Sequence, residues 1–437
     1  MRYISHQKYI DADEAWLDKY PDSWSTRKLK FSVRLINEKI EAKDSALEYM
    51  GLEHIESWTG KKLSGGQSES DGVGNVFEID DVLFGKLRPY LAKVYKAEEE
   101  GLATSEALVL RPEEITNPDF LKYFLLTPSF IDVVDGSTYG AKMPRASWDF
   151  IGELPVLLPG LEEQQKIAAF LDYKTQQIDQ LIEKKKSLIE KLEEKRIAVI
   201  TQTVTKGLDK NVKLKPSGVD WLGDVPEHWG VRRLKFLSNE SLQYGANEAA
   251  EMDDRDQPRF IRITDVKSDG TLHEETFRSI PEDIAAPFIL VGGDILLARS
   301  GATVGKTFIY SEGWGVAAYA GYLIRFRVDL DIMSADFAYQ FFQTSVFWAN
   351  INSTLIQSTI QNFSAEKYAN ILMTVPPKRE QVEILRYLKG VLSKVDRMAN
   401  KAKNVIEKME EYRSAIITSA VTGKIDVREV AIPRELN

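Results

Sequence analysis

A repeat with a lag of about half the chain constrains this 437-residue sequence more than any other feature. Such a lag duplicates whole domains and lies far beyond the periods of solenoids. Trp16-Leu17, Pro21-Asp22-Ser23-Trp24 and Lys28-Leu29-Lys30-Phe31 return as Trp221-Leu222, Pro226-Glu227-His228-Trp229 and Arg233-Leu234-Lys235-Phe236. Tyr49 to Ile55 is answered loosely by Phe260 to Val266, and Asp81-Val82-Leu83-Phe84 by Asp294-Ile295-Leu296-Leu297. Near the close of each half Glu163-Gln164 corresponds to Glu380-Gln381, and Ala198 to Thr205 corresponds to Ala415 to Thr422. The chain is two related halves in tandem, each built in the same order.

Each half opens with short β-branched and aromatic runs broken by Gly, Asp, Asn and Pro, which read as strands. Phe260 to Val266, Asp294 to Ala298, Lys306 to Tyr310 and Gly321 to Val328 are of this kind. Fewer stretches, such as Pro118 to Leu126 and Ser334 to Thr344, carry apolar residues at helical spacing. A long charged segment then closes each half. Leu171, Ile178, Leu192 and Val199 share one heptad position, with Leu181 and Leu188 on the facing one, and Lys174, Lys185 and Lys195 interrupting. The second half carries Leu388, Val395, Ala402, Met409 and Ile416, faced by Val391, Met398, Val405 and Tyr412. Pro159 and Pro376-Pro377 stand just before these segments, where proline is tolerated. Helices on the order of 40 residues, about 60 Å long, are predicted.

A narrow apolar seam on a charged helix is best covered by a partner helix, and the other half's helix is the obvious one. An antiparallel pairing would relate the halves by an approximate two-fold axis; two helices packed separately on their own domains are the alternative. The resulting class is α+β. Two mixed α/β domains, 1–158 and 208–376, are joined by long helices over 159–207 and 377–424 in an antiparallel coiled coil, followed by a tail at 425–437.

Composition narrows the chemistry. The chain has no cysteine and only four histidines (His6, His54, His228 and His273), which lack metal-ligand spacing, so no metal site is expected. The formal net charge of -9 argues against a protein that coats DNA unspecifically. No apolar run approaches the roughly 20 residues of a membrane span, and residues 1–10 lack a signal-peptide core, so a cytoplasmic location is expected. Gly301-Ala302-Thr303-Val304-Gly305-Lys306-Thr307 resembles a phosphate loop but holds three residues between its glycines where such a loop needs four. Asn117-Pro118-Asp119-Phe120 resembles the Asn-Pro-Pro-Phe element of adenine methyltransferases, with Asp119 in place of the second proline. No glycine-rich cofactor loop follows a strand near the start. His228 lies in the duplicated Pro-x-x-Trp element and reads as structural.

What remains suits nucleic acid. Lys61, Lys86, Arg88, Lys142 and Arg145 in the first domain lie beside glycines and aromatics, among them Trp58, Tyr90 and Tyr139. Arg262, Arg299, Ser300, Gly301, Lys306, Gln361 and Asn362 do so in the second. Lysine and arginine neutralise phosphates, while arginine, asparagine and glutamine pair with base edges. Leu171, Ile178, Leu181, Leu188, Leu192, Leu388, Val395, Met398, Val405 and Met409 are the candidates for helix-to-helix and partner contact. A methyltransferase fused to its own reader, or a coiled-coil scaffold that never touches DNA, are the competing readings. The first needs a cofactor loop and a Pro-Pro-aromatic motif that the chain lacks.

Taken together, these motifs resemble those of the specificity subunits of type I restriction and modification systems. Trp221 to Trp229 with Arg232-Arg233-Leu234-Lys235 is similar to that family's opening signature, and Asp294 to Lys306 to a signature of its recognition domains, with Val82 to Leu91 as a variant. Pro159 to Asp172 is similar to the start of its central helix. The first half departs at Asp13-Glu14-Ala15, where a glycine-containing lead is usual. The resemblance implies a DNA-binding subunit without catalysis, whose two domains each read half of a split duplex target. It implies helices that space those halves and dock two modification subunits, with translocating restriction subunits joining them. S-adenosylmethionine, and ATP with magnesium, are then expected only in those partners, with no cofactor in this chain.

Overall fold

The structure, a computed structural model, describes residues 4–63, 72–140, 142–267, 270–356 and 362–433. It divides into two compact units, Met1–Lys186 with Lys403–Asn437 and Ser187–Ala402. Two helices, Leu161–Lys206 and Lys378–Val421, contribute residues to both.

Each unit is built around a four-stranded antiparallel sheet of the same strand order. In the first it runs Val33–Ile36, Ala107–Pro112, Val82–Gly85, Val94–Lys96. In the second it runs Gln243–Tyr244, Leu323–Phe326, Ile295–Ala298, Thr307–Ile309. Val82–Gly85 and Ile295–Ala298 are buried at every residue, which is why their sequences are continuous apolar runs instead of alternating ones. The aspartate before each of these strands is locked by an arginine in the adjoining strand or just past its end. Arg111 donates two bonds of 2.8 Å to the Asp81 carboxylate, and Arg327 donates two of 2.7 Å to Asp294. Both carboxylates also accept a backbone amide, from Glu78 and Val291. Paired and hydrogen-bonded in this way, a buried carboxylate loses the penalty it would otherwise carry.

A parallel pair accompanies each sheet, Tyr49–Met50 with Gly101–Thr104 and Arg259–Ile261 with Ala317–Tyr319. Phe260 to Val266 is therefore not one strand as predicted. After Ile261 the chain enters a short 3-10 turn at Ile263–Asp265, because the Asp265 carboxylate accepts the Arg262 amide at 2.8 Å. The first half makes the same turn at Leu52–His54, where His54 Nδ1 accepts the Gly51 amide at 3.1 Å. The helix Pro118–Leu125 starts where Asn117 Oδ1 accepts the Phe120 amide at 2.9 Å. Asn117-Pro118-Asp119-Phe120 is thus a helix cap with proline at the first position, its Phe120 buried. The glycine-bounded stretch at Gly301 forms a 3-10 turn, Gly301–Thr303, and leads into the strand Thr307–Ile309. It opens no helix, the element a phosphate loop needs behind it.

Both long helices are fastened to their domains by a buried glutamine. The Gln164 side-chain oxygen accepts the Asn117 amide at 2.8 Å, and its nitrogen donates to the Ile115 and Pro159 carbonyls at 2.9 Å each. Gln381 repeats the pattern with the Ser334 amide and the Ile332 and Pro376 carbonyls. At their other ends Gly207 and Gly423 adopt left-handed φ of 77° and 70°, the conformation that closes a helix. A Cβ there would lie 3.2 Å from the rings of Trp229 and Trp24 respectively, so the duplicated tryptophans pack under these caps. Residues 425–433 return to the first unit's core through Val427, Ile425, Val430 and Ile432, with the Asp426 amide on the Ile4 carbonyl.

The two helices pack on one another within each unit. In the first, Leu171, Ile178 and Ile182 join the core that holds Ile416, Ile417 and Ala420, with Ile406 and Met409 against it. In the second, Leu192 packs with Val395, Ala399 and Leu188, while Leu388 enters the domain core. The facing position of the predicted seam needs correction. Leu181, Met398 and Tyr412 are 44%, 49% and 49% exposed, and Val405 is half-buried. The seam instead uses the residues one place later, Ile182, Ala399, Ile406 and Arg413.

Arg413 explains the shift. Its Nε donates to Asp179 at 3.0 Å, and its two amino groups donate to the Trp58 and Thr59 carbonyls at 2.9 Å each. Asp179 also pairs with Lys61 at 2.6 Å. The second unit carries the matching interhelical pair, Arg196 with Asp396, in a more open setting. The Arg413 and Asp179 side chains are 7% and 16% exposed, those of Arg196 and Asp396 33% and 51%. Arg413→Ala leaves two carbonyls unpaired and Asp179 with Lys61 alone, and should cost about 3–5 kcal/mol. Arg196→Ala should cost less than about 1 kcal/mol. Denaturant unfolding of the two variants checks this, and equal losses would contradict the difference in burial.

Candidate nucleic-acid interface

The candidate interface follows from how the sheet hands its strands to loops. After Val82–Gly85 the chain reaches Lys86, and after Ile295–Ala298 it reaches Arg299. The Lys86 amide donates to the Glu106 carbonyl at 2.9 Å, and its own carbonyl accepts the Ala146 amide at 3.0 Å. Arg299 repeats both bonds, to the Tyr322 carbonyl at 3.1 Å and from the Phe363 amide at 2.8 Å. The next residues form matching bridges, Leu87 with Arg145 and Ser300 with Asn362. Beyond them Ser147 and Ser364 cap the short helices Trp148–Ile151 and Ala365–Ala369. One backbone frame therefore presents Lys86, Glu106 and Arg145 in the first unit and Arg299, Tyr322 and Asn362 in the second.

In the second unit the Arg299 guanidinium lies 4.6 Å from the centroid of the Tyr244 ring, and its Nε reaches Asn362 Oδ1 at 3.4 Å. Its two terminal amino groups meet no acceptor among the described residues, so the planar fork that grips guanine or phosphate stays available. Tyr322 beside it is 68% exposed. Tyr368 pins the turn from beneath, donating to the Ala298 carbonyl at 2.7 Å and accepting the Gly305 amide at 3.2 Å. Gly301 takes a left-handed φ of 66° that a larger residue would resist, and Lys306 stands exposed at the end of the turn. Arg299, Ser300, Gly301, Lys306 and Asn362 thus come together. Gln361 lies outside the described residues.

The first unit presents a groove of about 440 Å³ lined by Asn37, Lys39, Asn75, Lys86, Glu106, Tyr139 and Arg145. Arg145 Nε and Nη2 donate to the Glu106 carboxylate, the shortest contact being 2.8 Å. That guanidinium, with Lys86 beyond it, holds the Glu106 carboxyl below the usual carboxylate range, so it is anionic at neutral pH. Tyr139 exchanges backbone bonds with Arg145 and is 67% exposed. Arg88 and Lys142 are exposed on neighbouring turns, with the Arg88 amide on the Pro144 carbonyl.

Two predicted DNA contacts are placed elsewhere. Lys61 is engaged by Asp179 on the long helix. Arg262 is spent on Asp265, by Nε at 3.0 Å and Nη2 at 2.6 Å, and on the Thr276 carbonyl at 2.9 Å. Each is committed to a contact within the fold, which lowers the charge it can offer a phosphate. Conversely, Asn37, Glu106, Tyr244 and Tyr322 went unnoticed in sequence. None is basic, and only the strand order brings them to the turn after the buried strand. His228 Nε2 contacts Glu380 Oε1 at 2.7 Å, and Trp229 donates to the other oxygen at 2.9 Å, so His228 belongs to the anchoring of the second helix. Among the described residues no cluster of three His, Asp or Glu could hold a metal ion, and no helix is long and apolar enough to cross a membrane.

Comparison with known proteins identifies the family and the fold. The type I restriction modification DNA specificity domain matches residues 62–191 and again 226–408, together more than half of the chain. The specificity subunit of the type I restriction enzyme StySPI of Salmonella potsdam is 20% identical over 437 residues, covering 93% of this chain and 90% of its own. That of EcoDI from Escherichia coli is 30% identical over 159 residues, 35% of this chain and 34% of its own. That of EcoKI from Escherichia coli strain K12 is 23% identical over 334 residues, 72% and 68% of the two chains. A chain from a solved structure describing complex assembly and conformational transition of the type I R-M system shares the fold. Its TM-score is 0.72 at 17% identity, over 93% of this chain and 99% of that one. The chain belongs to the type I restriction–modification DNA specificity family.

Proposed function

We propose that this DNA sequence-specificity subunit reads a bipartite duplex target, one half with each recognition domain, and catalyses nothing itself. The observation that carries the reading is the repeated frame behind Lys86 and Arg299, which puts a cation at the same backbone position in both halves and sets polar side chains beside it, Glu106 and Arg145 in one and Tyr322 and Asn362 in the other. Such groups divide the labour of DNA recognition, with cations on phosphates and forked or amide side chains on base edges. A chain of net charge -9 has no general field to hold DNA, so these local clusters supply the attraction.

The long helices set the gap between the two half-sites and dock two modification subunits, and restriction subunits join that assembly. Methyl transfer with S-adenosylmethionine, and ATP with magnesium, belong to those partners. The complex works in the cytoplasm.

Arg299→Ala should weaken binding to one half-site by about ten- to hundredfold, the loss of a bidentate arginine contact of about 1–3 kcal/mol. Preference at the other half-site should be unchanged. Competition binding with duplexes altered in one half at a time measures this, and equal loss at both halves contradicts independent reading. Removing residues 185–191 together with 402–408 deletes one heptad, about 10 Å of helix, from each segment. At about 3.4 Å per base step the recognised gap should shorten by about three base pairs. Adenine methylation mapped in cells carrying the variant with its partner subunits reads the gap directly. An unaltered gap rejects the ruler.

A further inference from the structure

The acid in the first reading groove is unexpected on electrostatic grounds. Glu106 sits on a surface whose neighbours are Lys86, Lys39 and Arg145. A carboxylate there repels phosphate and lowers affinity for every DNA sequence alike. Its place in the other half is taken by Tyr322, uncharged and exposed, whose carbonyl receives the same backbone bond. The fold at this position therefore does not require an acid. The Glu106 side chain is 27% exposed and that of Arg145 34%, so the pair lines the open groove instead of lying beneath it. The paired faces of Arg145 and Glu106 fix the carboxylate without enclosing it, and Nη1 of Arg145 keeps only a long 3.5 Å contact to the Met143 carbonyl.

Resting on the bipartite reading above, we infer that Glu106 is a specificity-determining residue of the first recognition domain, accepting a hydrogen bond from the exocyclic amino group of cytosine in the major groove. Arg145 positions the carboxylate. In the major groove only cytosine N4 and adenine N6 present such a donor, while guanine O6 and thymine O4 present acceptors that a carboxylate repels. Cytosine is favoured because its amino group has an acceptor, guanine O6, on one side only, whereas adenine N6 lies between its own N7 and thymine O4, both of which repel a carboxylate. Nη1 of Arg145, held only by its long contact to the Met143 carbonyl, can donate to guanine O6, so donor and acceptor on the protein face acceptor and donor on one base pair. The acid thus acts by exclusion as much as by attraction. The second domain, with Tyr322 and Asn362 in the equivalent places, has no such acid and reads a chemically different half-site.

The test selects duplexes from a pool randomised across both half-sites, using the wild-type subunit, Glu106→Gln and Glu106→Tyr in the assembled complex. The wild type should favour cytosine at one position of the first half-site by tenfold or more. Glu106→Gln keeps the shape but adds a donor, and should reduce that preference below about threefold while leaving the second half-site intact. Glu106→Tyr installs the residue of the other half, should fold as the wild type does by thermal melting, and should abolish the cytosine preference. Variants that bind all sequences more or less tightly with every base preference retained would overturn the inference and leave Glu106 as a structural partner of Arg145. Selection of adenine at that position by the wild type would overturn the choice of cytosine. Arg299→Ala assayed in parallel separates the two readings. If it loses one half-site while the Glu106 variants change nothing, only the inference about Glu106 fails; if no variant affects either half-site selectively, the bipartite reading itself fails.

Discussion

Gln164 and Gln381 are the joints on which the rest depends. Each amide is fully enclosed and makes three hydrogen bonds, one to a domain amide, one to a domain carbonyl and one to the proline carbonyl at the mouth of its helix. A buried amide left unpaired costs several kcal/mol, so the bonded geometry is strongly preferred. Any rotation of a long helix about its own first turn must therefore carry the adjoining domain with it. Arg413 adds a second grip on the first unit by holding the Trp58 and Thr59 carbonyls from the helix. A reading surface attached at two points to a stiff element is one whose orientation the helix can set.

Duplication has kept this frame and released the surface. The carboxylate locks at Asp81 and Asp294, the glutamine joints, the glycine caps under Trp24 and Trp229 and the backbone bonds behind Lys86 and Arg299 are the same in both halves. What differs is what those positions display: Lys86, Glu106 and Arg145 against Arg299, Tyr322 and Asn362. The buried groups cannot vary without leaving a partner unsatisfied, whereas side chains facing a groove carry no such debt. Recognition can diverge on an unchanged fold for that reason.

The same distinction governs what the sequence disclosed. The repeat and the length of the helices were legible because both are written in residues that stay buried, such as Leu171, Ile178, Leu388 and Val395. The facing side of the seam was not, because the charged Arg413 lies in it while the apolar Leu181, Met398 and Tyr412 look outward, reversing at these positions what hydrophobicity alone suggests. Listing basic residues singled out Lys86 and Arg299, which the fold places at the ends of the two buried strands. It could not distinguish them from Lys61 and Arg262, whose carboxylate partners, Asp179 and Asp265, become visible only when the chain is folded. Glu106 lay hidden for the opposite reason: an acid beside a strand is ordinary in sequence and informative only once Arg145 is found against it.

An acidic chain that reads DNA must find its target without holding on elsewhere. A net charge of -9 gives no general attraction to phosphate, which is almost entirely what holds a protein on random sequence. Weak heads suffice when two of them share one chain, because engagement of the first makes the second contact intramolecular, at an effective concentration set by what connects them. Stiffness in that connection then matters more than the strength of either head. A rigid spacer rewards half-sites at one separation and gives nothing for the others, so discrimination arises from geometry as well as from base contacts. On the bipartite reading proposed above, two helices of more than forty residues would supply that stiffness.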